Sequence, residues 1–193
     1  LDQTPADAQD SPFAHAFAPP RVPRRARPPG ARDFGACMAP FTAFQVLQGI
    51  ETLPLRMEKH VANTRAVIEF LRAHPFVGTI GYPELPDHPD HELARTLLPR
   101  GCGAVFSFDL KGTRAHGRRF IESLRLFSHL ANVGDAKSLV IHPASTTHFR
   151  MSSDDLARAG VGEGTIRLSI GLANADDLID DLGRARYAAS KTA

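Results

Sequence analysis

The chain has 193 residues, 42% of them hydrophobic and 23% charged, with 23 basic against 21 acidic side chains. That length is ample for a single buried core at the usual ~100–200 residues per domain. No apolar run approaches the ~20 residues of a membrane helix, and a net charge of +2 gives no electrostatic reason to expect nucleic acid as a partner. Cys37 and Cys102 fit neither a disulfide framework nor a CxxC spacing, so both read as small buried thiols. No charged-then-apolar leader follows Leu1, and the chain reads as cytoplasmic.

Residues 1–33 contain seven prolines, seven alanines and five arginines with almost no aliphatic periodicity. Proline removes backbone donors, so this stretch is expected to be a disordered Pro/Ala/Arg-rich arm, followed by one domain over residues 34–193. Pro40 suits a helix start, and Phe41, Phe44, Leu47 and Ile50 recur behind it at near-helical spacing. Met57, Val61, Ile68 and Leu71 continue an amphipathic pattern, which makes residues 40–73 one long helix broken near "ETLP". Its apolar stripe calls for a partner surface.

Extended and helical segments then alternate. Strands are expected at 77–82, 103–110, 126–131, 138–142 and 165–171, with helices near 90–98 and 113–124. Asn174 as N-cap, two aspartates behind it and an apolar face of Leu178, Leu182, Ala185 and Ala189 mark a last helix over 175–189. The alternation implies an α/β fold with a small sheet and helices packed on one side.

Arg167 lies in the middle of an apolar strand pattern, "TIRLSIG". A guanidinium in such a place needs an anion to offset desolvation, either an internal carboxylate or that of a ligand. Hydroxyls flank the strand of "SLVIHPASTTH", with Ser138 before it and Ser145, Thr146, Thr147 and His148 after it. A Ser-His hydrolase is disfavoured there, for want of a GxSxG elbow or an acid partner, and His142 before a proline reads as a packing histidine. The prolines of "PELPDHPDH" make His88 and His91 part of a surface turn, and no metal ligand is assigned. The basic residues of "KGTRAHGRR" read as a solvated helix start rather than a phosphate site, because no glycine-rich nest precedes them.

Four stretches carry more than composition: "RDFGACMAPFTAFQVLQGIETLPLRMEKHVAN", "YPELPDHPDHELARTLLPRGCGAVFSFDLKG", "LANVGDAKSLVIHPASTTH" and "GTIRLSIGL". In that order, over residues 32–186, they resemble the C-terminal part of the Cys/Met-metabolism enzymes that depend on pyridoxal phosphate. Within that family the nearest likeness is to the O-acetylhomoserine sulfhydrylases. The resemblance implies the small C-terminal domain of a fold-type I transferase, which closes over an amino-acid substrate bound at a large cofactor domain. It places the substrate α-carboxylate on Arg167, with Ser138 and Leu139 beside it, and makes Thr147 and His148 lining of the same pocket. The parent reaction would be γ-replacement of an acetyl ester by sulfide or a thiol, in a homo-oligomer.

In that family a lysine in a Ser-x-Thr-Lys motif carries the cofactor as a Schiff base. The lysines of this chain are Lys59, Lys111, Lys137 and Lys191, and none stands in that setting. No catalytic residue is therefore assigned, and pyridoxal phosphate is expected of the family with most of its site outside this chain. "GLAN" at 171–174 also departs from the pattern, since relatives usually carry an acidic residue where Ala173 stands. Two readings follow. One is the C-terminal portion of a sulfhydrylase, left by truncation, gene breakage or a shifted frame. The other is a non-catalytic module that docks on a full-length relative or binds a small amino acid through Arg167.

Overall fold

Pro40 opens the first helix of the computed structural model, which describes residues 37–191. The arm expected over residues 1–33 lies outside the described residues. Contacts divide the chain into two units, Leu1–Thr52 and Leu53–Ala193. The described part of the first unit is built on α1 (Pro40–Glu51), which buries none of its residues. Phe41 is 70% exposed, and Phe44, Leu47 and Ile50 are more than half exposed. The expected apolar stripe is thus present and uncovered.

The second unit begins with α2 (Leu53–Arg72), so the helical run is interrupted at Thr52, within the stretch whose proline signalled a break. Then come β1 (Val77–Gly81), α3 (His91–Leu97), β2 (Val105–Leu110), α4 (Arg114–Ser123), β3 (Ser128–His129) and β4 (Leu139–Ile141). A 3-10 turn over Pro143–Ser145, α5 (Ser153–Arg158), β5 (Thr165–Ser169) and α6 (Ala175–Ser190) complete it. The strands form one sheet in the order β1-β2-β5-β4-β3, antiparallel except for the β3–β4 pair. This is the α/β arrangement the alternation implies.

Pleat alternation sorts the sheet into two faces. Phe106, Phe108 and Leu110 of β2 and Ile166 and Leu168 of β5 join a core with Val67 and Leu71 of α2, Phe120 of α4, and Leu178 and Leu182 of α6. Arg167 pairs with Ser107 on β2 and Ile141 on β4, so these three share the opposite face. At the start of α6 the Asn174 carboxamide oxygen accepts the Asp176 N–H at 3.0 Å, with Asp176 and Asp177 in the first turn, as the sequence signals.

Some expectations fail. The strand expected over 126–131 shrinks to Ser128–His129, because only those residues reach the edge of β4. Helix α5 and the 3-10 turn were not anticipated, although Ser152 caps α5 by accepting the Asp155 N–H and Asp154 and Asp155 fill its first turn. Cys37 is exposed and Cys102 half-buried, so neither is a fully buried thiol. Cys37 precedes α1, which itself buries nothing. No helix among the described residues is long and apolar enough to cross a membrane.

His142 packs as its sequence context suggests. It is fully buried, its Nε2–H donates to the Glu163 carbonyl at 2.7 Å, and its Nδ1 accepts the Ser145 hydroxyl at 2.8 Å. Gly117 makes room for the ring, since a Cβ there would fall 2.3 Å from Nε2. Burial, aided by the positive charge of Arg114 and His129, holds His142 below the usual histidine range, against the smaller opposing pull of its bond to Glu163.

Two predictions follow from these contacts. A neutral His142 in the folded state and an ordinary histidine near pH ~6.5 in the unfolded chain make the unfolded state bind more protons in mild acid. Stability is then fully present above that pH and falls as the pH drops below it, read as a falling denaturant midpoint; a flat midpoint through this window would contradict the neutral, buried imidazole. Separately, Gly183 lies inside α6, and a Cβ there would meet Phe70 Cζ at an ordinary 3.6 Å. Gly183→Ala should therefore stabilise by about 0.5–1 kcal/mol, whereas Gly171→Ala, whose Cβ would lie 2.4 Å from the Ala136 carbonyl, should destabilise by roughly 1–3 kcal/mol or more. Both are read from thermal or urea unfolding.

Candidate functional site

Arg167 occupies the central strand of the sheet, half-buried, on the face opposite the core formed with α2, α4 and α6. Its Nη2 donates to the Asn132 carbonyl at 2.9 Å. No carboxylate forms an ion pair with it among the described residues. Asp109 lies on the same face, but its oxygens accept the hydroxyls of Thr165 and Thr79, the latter at 3.0 Å. A guanidinium fork held in a sheet with only one carbonyl partner keeps donors for an external anion.

Ser138 and Leu139 are brought to this region by β4. Leu139 is buried and pairs with Ser169, two residues along β5 from Arg167 and on the same face. Ser138 is 3% exposed, and its hydroxyl accepts the Gly171 N–H at 2.8 Å. That bond ties the entry of β4 to the exit of β5, so its oxygen already has a structural role. Thr147 and His148 follow the 3-10 turn and share a hydrogen bond at 2.8 Å with each other. Among the described residues no hydrogen bond joins them to Arg167, Ser138 or Leu139.

Two side chains that the sequence reading passed over hold the β5 exit from the other side. His60 Nδ1–H donates to the Ile170 carbonyl at 2.6 Å, and Asn63 Nδ2 donates to the carbonyls of Gly171 and Ala173 at 2.9 and 2.8 Å. Both lie on α2 and are buried. No local pattern marks them in the sequence, because their partners lie more than a hundred residues downstream. Ala173 contributes its backbone carbonyl to this clamp while its side chain is exposed, so the clamp itself does not require an acidic residue there.

The other polar stretches are internally wired. His116 closes the start of α4 in a reciprocal cap with Thr113. His88 Nδ1 accepts the Asp90 N–H, and His91 Nδ1–H donates to the Pro83 carbonyl. Lys59, Lys111, Lys137 and Lys191 are all exposed, and Lys191 places its ammonium 4.2 Å from the centre of the Tyr187 ring.

The profile of the family described as Cys/Met metabolism PLP-dependent enzymes matches residues 8–186, so its span takes in most of the Pro/Arg-rich stretch that the motifs alone left out. The O-acetyl-L-homoserine sulfhydrylase of Leptospira meyeri is 48% identical over 83% of this chain and 37% of its own length. A putative O-acetylhomoserine (thiol)-lyase from Campylobacter jejuni, solved with a pyridoxyl-lysine phosphate, superposes with a TM-score of 0.75 at 42% identity, covering 89% of this chain and 41% of that one. Cystathionine gamma synthase from Xanthomonas oryzae, solved with cystathionine, gives 0.73 at 39% identity over 85% and 42%. The chain thus spans about two fifths of the length of the relatives it matches. It belongs to the Cys/Met metabolism family of pyridoxal-phosphate-dependent enzymes.

Proposed function

We propose that this chain is the substrate-binding C-terminal portion of an O-acetylhomoserine sulfhydrylase-like transferase, which replaces the acetyl ester of a homoserine derivative by sulfide or a thiol on the way to homocysteine and methionine. The observation that carries the reading is Arg167: a guanidinium in the central strand, with no carboxylate partner among the described residues and one carbonyl contact. In this role it binds the substrate α-carboxylate, with Leu139 as apolar wall, Ser138 fixing the strand that carries it, and Thr147 and His148 lining the same pocket.

The lysines do not fit the cofactor. A lysine that holds pyridoxal phosphate covalently must be activated, by desolvation or by a neighbouring cation, and all four in this chain are exposed. No chemical step is therefore assigned to this chain. The group that holds the cofactor belongs, in this reading, to a large domain or a full-length subunit that also covers the apolar face of α1. A soluble compartment such as the cytoplasm and assembly into a homo-oligomer are part of the same proposal.

Co-expression of this chain with the unmatched remainder of the Campylobacter jejuni relative tests it, with homocysteine formation from O-acetylhomoserine and sulfide as the assay. The paired chains should be active with pyridoxal phosphate. Arg167→Leu should lower kcat/KM by roughly 30- to 5000-fold, the ~2–5 kcal/mol of a truncated charge pair, with a rise in KM. Activity from the relative's own two parts, but none with this chain, would contradict the proposal.

A further inference from the structure

A cleft of about 560 Å³ opens between the second half of α2 and the segment that leaves β1, within the range of small-molecule pockets (~300–1,000 Å³). The stretch "RAVIEFLR" (65–72) sets Arg65, Ile68, Glu69 and Arg72 on one side of the helix, at the i, i+3, i+4, i+7 spacing. All four line the cleft. Tyr82 and Leu85 line it from the opposite wall and join Ile68 in the core, so the floor is apolar while the helix wall is charged. That core lies on the face of the sheet opposite Arg167, which keeps the cleft separate from the carboxylate site.

The charges divide into a pair that is spent and a pair that is free. Arg65 grips Glu84 in a fork, Nε on Oε2 at 2.7 Å and Nη2 on Oε1 at 3.1 Å. Glu84 Oε1 also accepts the Cys102 N–H at 2.8 Å and lies 3.1 Å from the Tyr82 hydroxyl. Burial acts to raise the Glu84 carboxyl, but Arg65 and these donors hold it below the usual carboxylate range, so it stays charged and committed. Glu69 and Arg72 are exposed, and neither side chain makes an ion pair or hydrogen bond with another described residue. One carboxylate and one guanidinium, three residues apart on the same helix wall, thus stand unpaired beside an apolar floor.

The α-carboxylate and α-ammonium of an amino acid hang on a single carbon, and side chains at i and i+3 of a helix are neighbours. A zwitterion therefore meets both charges at once, its carboxylate on the Arg72 fork and its ammonium on Glu69. An unbranched apolar side chain then lies over Ile68 and Leu85. We propose that this cleft is a second binding site, for a free amino acid with an apolar side chain. It is independent of the reaction assigned to the parent enzyme.

The test is an amide NMR titration of the full chain carrying Arg167→Leu, which removes the other guanidinium open to a carboxylate. With L-methionine as the probe, the signals of Ala73 and Leu85 should shift saturably. Arg72→Gln and Glu69→Gln should each weaken binding about tenfold, the loss of one hydrogen-bonded charge contact. Both side chains are exposed and unpartnered, so these variants keep the fold, and their own amide spectra show it. Methionine methyl ester, which lacks the carboxylate charge, should bind more weakly and be indifferent to Arg72→Gln. L-alanine, too short to cover the floor, should bind at least about tenfold more weakly than methionine. No saturable shift with methionine, an equal affinity for its methyl ester, or an unchanged affinity in either variant would overturn the proposal.

Discussion

The close approach at Gly171 is the constraint on which the site depends. An added Cβ there would fall 2.4–2.5 Å from Ala136 O, Lys137 C and Ser138 N, so the backbone leaving β5 lies directly on the backbone entering β4. Hydrogen bonds lock the contact from both sides. Gly171 N–H donates to the Ser138 hydroxyl and Leu172 N–H to the Ala136 carbonyl, while α2 reaches across with His60 and Asn63. The loop running from Asn132 to Lys137 is thereby held beside β5, and the Asn132 carbonyl meets Arg167. The orientation of one guanidinium thus rests on a glycine four residues downstream and on two side chains more than a hundred residues upstream.

Much of the fold was legible because its elements carry local signals. The two-residue alternation in "VFSFDL" and "TIRLS", the Asn174 cap and the proline near a helix break each act over a few residues. Arg167 stood out for a physical reason as well, being a charge where the pattern demanded an apolar side chain. The clamp by His60 and Asn63 was not legible, since its bonds join residues 108 to 110 apart and leave no spacing to read. Ser138 was found by resemblance, but its contact with Gly171 depends on strand pairing that no local pattern encodes. Helix α5 was passed over although Ser152, Asp154 and Asp155 form a recognisable start. Its six residues are too few for an apolar periodicity to emerge.

The proposed function separates two tasks that pyridoxal enzymes combine. Holding a carboxylate needs a rigid, oriented guanidinium, and a strand at the centre of a five-stranded sheet supplies one. Holding the cofactor needs an activated lysine, and the exposed positions of Lys59, Lys111, Lys137 and Lys191 supply none. The exposed apolar face of α1 points the same way, since exposed apolar surface of this kind commonly marks an interaction site. Recognition without chemistry is the physical content of the proposed function.

The measurement that tests this most directly is exposure of the purified chain to stoichiometric pyridoxal phosphate, followed by borohydride reduction and peptide mapping. If the cofactor lysine lies outside these 193 residues, no lysine should be trapped above the scattered background of exposed amines. Selective, stoichiometric trapping on a single one of the four lysines would contradict the account and make this chain an enzyme in its own right.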